Sequence, residues 1–484
     1  MVWAYGSYVG GRLLVLGSTV VLARVLTPDD FGLVALALTF MALLQGIGNL
    51  GISQALVVHQ GEDIEERANT VFFAAVAFGF CFSAIIAAFS PLAESFFHQP
   101  GLTGITAALG CNFLLQSFGA THYALAQKRL DFRTRTVAEF ADVVVRGSTG
   151  IALALAGFGA WALVIGYLVG TLTLNCALWL MVDWRPRLRV SLTHLREMTR
   201  FGATLSAIDV TSAVVENVDY LFVARVLGPG ALGLYTLAYR LPELLMINLS
   251  NVASLVLFPA FSAVDRDSLG RAFLISLRFT VMISLPIAVG MVILAKPIVL
   301  TLFGPQWADS AGAMQVLAIF GLAIATGIPA GTAYKATGRA GLLLWLASIR
   351  MVLVIALLAS FVGQGIVAAG ACQAAVAVLA EGAGIIVASR LLDLPVPRIL
   401  AEAVPAAIAA TAMAIPLIAI SLFIESSLAA LLLGTAVGAV VYLLVIALVA
   451  PDSIRYLRDR LLSSTPQGPG PASLAVTHET DVIA

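Results

Sequence analysis

The chain has 484 residues, of which 60% are hydrophobic and 11% charged, with 27 basic and 27 acidic side chains in formal balance. Soluble domains carry about 25% charged residues, so this chain has too little polar surface to solvate a water-soluble body of its size; its composition is that of an all-α polytopic membrane protein. Cys81, Cys111, Cys176 and Cys372 lie inside apolar segments without metal-ligand spacing, and no P-loop or catalytic constellation is present, so neither metal nor cofactor, nucleic-acid partner nor enzymatic activity is expected.

Apolar segments long enough to cross a bilayer, about 20 residues each, follow one another from the N-terminus. Fourteen are expected, over residues 7–26, 31–58, 69–93, 101–127, 136–157, 160–182, 199–227, 230–258, 272–295, 308–334, 340–361, 364–392, 403–424 and 427–450. Several exceed 25 residues, which allows tilt or a break. Their connections alternate in charge. The second carries Arg67, the fourth reads "QKRLDFRTR" and the sixth "DWRPRLRVSLTHLREMTR", whereas the odd connections are short and hold few basic residues, Lys296 being the main exception. The positive-inside rule then puts both termini in the cytoplasm. From Ser463 onward the chain is polar and rich in Pro and Gly, and the stretch 452–484 is expected to be a disordered cytoplasmic tail. Only six residues precede the first segment, none of them basic, so a missing N-terminal arm is an open expectation.

One motif occurs twice. "ARVLTPDDFGL" occupies residues 23–33 and "ARVLGPGALGL" residues 224–234. The copies align Arg24 with Arg225, Pro28 with Pro229 and Gly32 with Gly233. Six segments separate them, an even number, so both face the same side of the membrane, and the repeat is a parallel one about an axis along the membrane normal. "FFHQPG" before the fourth segment recurs as "LFGPQW" before the tenth, and Arg146 corresponds to Arg350. The expected organisation is an N-terminal six-helix half (1–197), a C-terminal six-helix half (198–400) and two additional transmembrane helices (401–451). Duplicated halves facing one another are a common transporter plan. Arg24 and Arg225 fall at the extracytoplasmic ends of their segments, where a cation suits the C-terminal end of a helix dipole.

The stretches "LARVLTPDDFGLVALALTF", "GNLGISQALV" and "ALAQKRLDFRTRTVAEF" resemble the N-terminal half of the polysaccharide transporters, the Wzx-type oligosaccharide flippases of the MOP superfamily, whose relatives include the MATE exporters and the lipid II flippase. The resemblance covers nearly the whole chain in segment layout and is strongest over residues 15–140; the bare N-terminus departs from the basic arm usual in the family. It implies a MOP-type fold of 12+2 helices in the bacterial inner membrane and export of undecaprenyl-pyrophosphate-linked oligosaccharide repeat units for surface polysaccharide, with polysaccharide polymerase machinery as a further partner. A MATE-like ion-coupled drug or cation antiporter and a non-transporting membrane partner of polysaccharide assembly are the alternatives.

Charges inside the segments are the site candidates, because an arginine at mid-bilayer costs about 2.5–3.5 kcal/mol on insertion scales. Arg146 and Arg350 each fall about ten residues into their segments, roughly 15 Å deep at 1.5 Å per residue. Together with Arg240 and Arg12 they are the expected cationic cleft for a pyrophosphate. The plainer alternatives are local: Asp142 stands four residues before Arg146 and neutralises it, and Arg12 snorkels to the interface. Arg350 has no acid three or four residues away, and Glu381 has no nearby base. Glu216 and Asp219 reach the same depth as Arg240 across the "GPG" turn, as a switchable ion pair, as carboxylates that take H⁺ or Na⁺, or as a static tie; Glu243 is a second, local partner for Arg240. Pro242 invites a kink just beyond Arg240. Gln45 and Asn49, one turn apart, are the expected glycan contacts, with an interhelical tie as the alternative.

Overall fold

The computed structural model describes residues 2–48, 52–58, 63–451 and 455. The polypeptide is helical nearly throughout: α1 (Val2–Val25), α2 (Pro28–Gly48), α3 (Ile52–Val58), α4 (Ile64–Phe97), α5 (Leu102–Lys128), α6 (Phe132–Leu155), α7 (Ala160–Met181), α8 (Leu192–Leu227), α9 (Pro229–Pro242), α10 (Asn248–Ser262), α11 (Arg266–Leu302), α12 (Ser310–Ala336), α13 (Ala340–Phe361), α14 (Ile366–Leu391), α15 (Val396–Phe423) and α16 (Ser427–Val449). Each of the fourteen expected segments overlaps helix, with a few non-helical residues mainly at the segment ends, such as Gly101, Gly157 and Ala450. Ten spans among the described residues are long and apolar enough to cross a membrane by length and composition. The others lie on α1, α5, α6 and α8, and these contribute side chains to interior cavities, so they carry the polar groups that lower their hydropathy.

Two expected segments are interrupted. The second is divided between α2 and α3. The eighth runs as α9, a π turn over Glu243–Ile247, and α10. The π turn follows Pro242 directly; proline has no N–H to give, and the widened turn takes up the mismatch where a kink is expected. α8 begins at Leu192 and α15 at Val396, so the divisions expected near 197 and 400 fall inside the second turns of these helices. The expected tail lies outside the described residues except for Arg455.

Helix starts are fixed locally. Asp131 caps α6, accepting from the Thr134 amide at 3.1 Å and the Thr134 hydroxyl at 2.6 Å. These donors hold the Asp131 carboxyl below the usual carboxylate range. A depressed carboxyl stabilises the fold above its unfolded pKa, and that contribution disappears as pH falls through the folded value. Asp131→Ala is therefore expected to cost about 0.5–2 kcal/mol at neutral pH. The gap from wild type in thermal unfolding closes below about pH 4.

α2 is the central element. It packs on α8 and α9, while α9 rests on α12, and α1 packs on α6. The additional helices α15 and α16 pack on α11, where the Tyr442 hydroxyl donates to the Met282 carbonyl at 2.7 Å and Arg278 pairs with Glu402. Neither helix contributes to the lining of the central cavity.

The repeated motif forms a reciprocal crossing between the starts of α2 and α9. A Cβ on Gly32 would collide with the Pro229 carbonyl oxygen, and a Cβ on Gly233 with the Pro28 carbonyl oxygen. Glycine at both positions lets the two backbones touch. The arginines of the motif also reach across. Arg24 donates to the carbonyls of Thr301 and Leu302 at the end of α11, and Arg225 stacks 5.1 Å over Phe96 at the end of α4. The Trp307 indole and the Gln306 amide donate to the Ala23 carbonyl at 2.7 and 2.8 Å, and Phe31 meets Trp307 edge-on at 5.2 Å. Arg24 thus caps a helix C-terminus as expected, but the helix is α11, 277 residues away in sequence, and not the one that carries it. Arg24→Gln is expected to lower stability by about 1 kcal/mol, since the group is exposed; a thermal unfolding midpoint equal to wild type would rule out a contribution from this clasp.

Candidate functional site

Among the described residues the main cavity has a volume of about 1030 Å³ and lies between α1, α2, α6 and α7 on one side and α8, α9, α12, α13 and α14 on the other. Arg146, Arg240, Arg350, Glu216, Asp219 and Gln45 all line it. Residues up to 305 positions apart (Gln45 and Arg350) are thereby brought to one space. Arg12 lies at least one residue triplet short of the lining, which begins on α1 at Val15, and has its own partner; Glu381 stands behind the wall. Asn49 lies outside the described residues.

Each arginine of the cavity has a carboxylate. Arg146 grips Asp142 through Nη2 at 2.8 and 2.9 Å and through Nε at 3.2 Å, the local pair anticipated from their spacing. Its guanidinium also stacks 4.2 Å from the Tyr167 ring. The pair fits against α7 because position 170 is glycine: a Cβ there would meet the Asp142 carboxylate. Arg240 pairs with Glu243 at 3.2 Å, at the start of the π turn.

Three expectations are corrected here. Arg350 and Glu381 were each expected to stand alone, yet Arg350 Nη1 lies 3.6 Å from Glu381 Oε1 of α14. Sequence spacing along one helix shows nothing of partners on another. Glu381 is accommodated by Gly327 of α12, where a Cβ would collide with its carboxylate. Second, Arg240 does not bridge to Asp219 or Glu216: its partner is Glu243, and Asp219 is buried with the Tyr235 hydroxyl donating to it at 2.9 Å. The nearer acid wins, since it needs no interhelical reach. Third, a uniformly cationic cleft does not form. Arg146, Arg240 and Arg350 share the lining with Asp142, Glu216, Asp219 and Glu243, so both signs are present. Glu216 makes no hydrogen bond or ion pair within the described residues and is exposed to the cavity.

Pairing does not exhaust the arginines. Among the described residues Arg146 Nη1 makes no hydrogen bond, and Arg350 Nε is buried without a partner. Arg350 lies 5.5 Å from the Phe320 ring, which continues through Tyr239 at 5.7 Å to Tyr220 at 6.3 Å, an aromatic wall that the sequence reading did not single out. A guanidinium held by a carboxylate and a ring face is oriented in advance, and its remaining N–H donors suit phosphate oxygens. Gln45 donates to Gln116 at 3.1 Å, leaving its own carbonyl oxygen and the Gln116 amide available.

A polytopic helical bundle with a polar cavity between two groups of helices is also the fold of several solved membrane proteins. The structure aligns with the lipid II flippase MurJ in an inward closed conformation at TM-score 0.76, over 94% of this chain and 100% of that one, at 16% identity. It aligns with an inward-facing multidrug resistance MATE family transporter of the MOP superfamily at TM-score 0.59, over 81% and 94%, at 18% identity. More particularly, the chain belongs to the polysaccharide biosynthesis protein family, whose model matches residues 21–312. It is 28% identical to the succinoglycan biosynthesis transport protein ExoT of Rhizobium meliloti over 72% of this chain and 71% of that protein. It is also 28% identical to the lipopolysaccharide biosynthesis protein WzxC of Escherichia coli, over 66% and 65%, and 24% identical to the teichuronic acid biosynthesis protein TuaB of Bacillus subtilis, over 61% and 62%.

Proposed function

We propose that the protein is a flippase, not an enzyme, that carries undecaprenyl-pyrophosphate-linked oligosaccharide repeat units from the cytoplasmic to the outer leaflet of a bacterial cytoplasmic membrane, by alternating access, for surface polysaccharide biosynthesis. The observation that carries this reading is the convergence of Arg146, Arg240 and Arg350 on one cavity in a chain of this family, with donors left over on Arg146 and Arg350. A pyrophosphate needs such donors if its charge is to leave water. The polyprenyl tail stays in lipid, and the halves 1–197 and 198–400 rock about the cavity with both termini in the cytoplasm. The reciprocal glycine crossing is then the closed extracytoplasmic side.

The direction of travel is favoured electrically. One elementary charge across 100 mV is worth about 2.3 kcal/mol, and an anionic head group moves outward down an inside-negative potential. Glu216 is the carboxylate best placed to exchange H⁺ or Na⁺ with the cavity, being exposed to it and unpaired among the described residues. Asp219, bound by Tyr235, and Glu381, bound by Arg350, are less available.

The four carboxylates of the lining favour one second reading, an ion-coupled exporter of cationic drugs. Proteoliposomes separate the two. Undecaprenyl-pyrophosphate-linked repeat unit should cross to the opposite leaflet only where the protein is present, and Arg146→Ala should slow it roughly tenfold to a hundredfold, the loss of one or two charge-assisted hydrogen bonds. Proton-coupled ethidium export with no glycan crossing would overturn the flippase reading.

A further inference from the structure

Beside the central cavity lies a second chamber of about 530 Å³, lined among the described residues by α2, α3, α4, α5, α6 and α7 of the first repeat. Its size is that of an ordinary ligand pocket, about 300–1,000 Å³. The two spaces share three residues: Gln45, Asp142 and Arg146. Apart from that ion pair at the shared edge, the chamber wall carries no formal charge among the described residues. It is instead rich in amides and hydroxyls, with Phe82 and Phe113 stacked at 6.0 Å on one side.

Asn175 of α7 and Gln45 of α2 each tie to α5, but other polar groups of the wall are not spent on holding helices together. The side chains of Gln54, Gln127 and Thr171 make no hydrogen bond among the described residues, and Asn175, which donates to the Leu115 carbonyl at 2.6 Å, has its Oδ1 buried without a partner. Gln116 uses its oxygen on Gln45 and keeps both amide hydrogens. Unmet amides inside a membrane bundle are costly unless they face a wet or ligand-filled space. An uncharged wall that mixes donors, acceptors and aromatic faces is chemically matched to sugar rings, which present hydroxyls at the edge and C–H groups on the face. A phosphate or a drug cation would call for a charged wall.

We propose that this chamber is the glycan subsite: with the pyrophosphate on Arg146 at the shared edge, the sugar chain turns aside from the central cavity and seats among Gln116, Gln127, Thr171 and Asn175. The proposal rests on the flippase reading and adds to it that the first repeat alone selects the glycan, by neutral hydrogen bonding and ring contact.

The test uses the full chain in proteoliposomes with two probes, undecaprenyl-pyrophosphate bearing the complete repeat unit and undecaprenyl-pyrophosphate bearing its first sugar only. Gln127→Leu with Thr171→Val should lower the ratio of long to short glycan translocated by roughly tenfold, the loss of about two neutral hydrogen bonds. Gln127→Asn with Thr171→Ser, which keep the chemistry, should recover much of that ratio, and thermal unfolding of both variants checks that they fold. An unchanged ratio in the apolar variant, with wild-type transport intact, overturns the subsite. Equal losses for both probes also overturn it, since a merely structural defect moves them together. Failure of the wild type to move either probe overturns the flippase reading instead.

Discussion

Arg350→Gln is expected to abolish transport, and Arg350→Gln combined with Glu381→Gln is expected to fold like the wild type and still not transport. The pair sits in the bundle interior, with side chains 19% and 25% exposed. Breaking such a pair by removing one partner costs about 3–5 kcal/mol, because the surviving charge is left without compensation, whereas removing both charges is often close to neutral. Glu381→Gln alone leaves Arg350 charged and free to turn all its donors to the cavity. If the pair is only a tie between α13 and α14, the double variant recovers transport along with stability. If Arg350 holds the head group, stability returns and transport does not. Thermal unfolding and glycan translocation measured on the same four proteins decide between the two, and transport at wild-type rate by the double variant would remove Arg350 from the site.

Gly32→Ala carries the second large effect. The added methyl would land against the Pro229 carbonyl, which is backbone and cannot rotate aside. Overpacking of this kind costs about 1–3 kcal/mol or more, and it is concentrated on the one conformation in which α2 and α9 touch. A cost of about 2.8 kcal/mol shifts a two-state equilibrium a hundredfold. The expected result is a protein that folds but opens at the motif, so that Ala231→Cys, placed beside the crossing in a chain without its four native cysteines, becomes far more reactive to a polar maleimide. Gly233→Ala should behave alike, because the contact is reciprocal. Gly290→Ala on α11 is the control: open space surrounds that position, and alanine only improves the helix. Unchanged labelling in the Gly32 variant would mean that the crossing is not the closed side of the transport cycle.

Much of this was legible in the chain itself. Composition alone gives a membrane bundle, and apolar runs of the right length place the helices, because in lipid every backbone group must be satisfied within the segment. Internal likeness gives the repeat, since "ARVL-P" survives at both positions. Arg146 with Asp142 is a pair that helix spacing alone anticipates. The bond of Glu381 to Arg350, the choice of Glu243 by Arg240 and the grip of Arg24 on the end of α11 were not legible. Each joins residues by packing between helices, or sets several acids in competition, and neither leaves a periodic trace.

The sequence by itself determined the apolar helices and their order, because these follow from local hydropathy. The tertiary structure decided which charges meet. Whether an arginine is a lone cation or half of an ion pair depends on side chains brought within about 4 Å from helices far apart in the chain. That distance turned an expected cationic cleft into a cavity of mixed sign, with its selectivity resting on a few oriented donors.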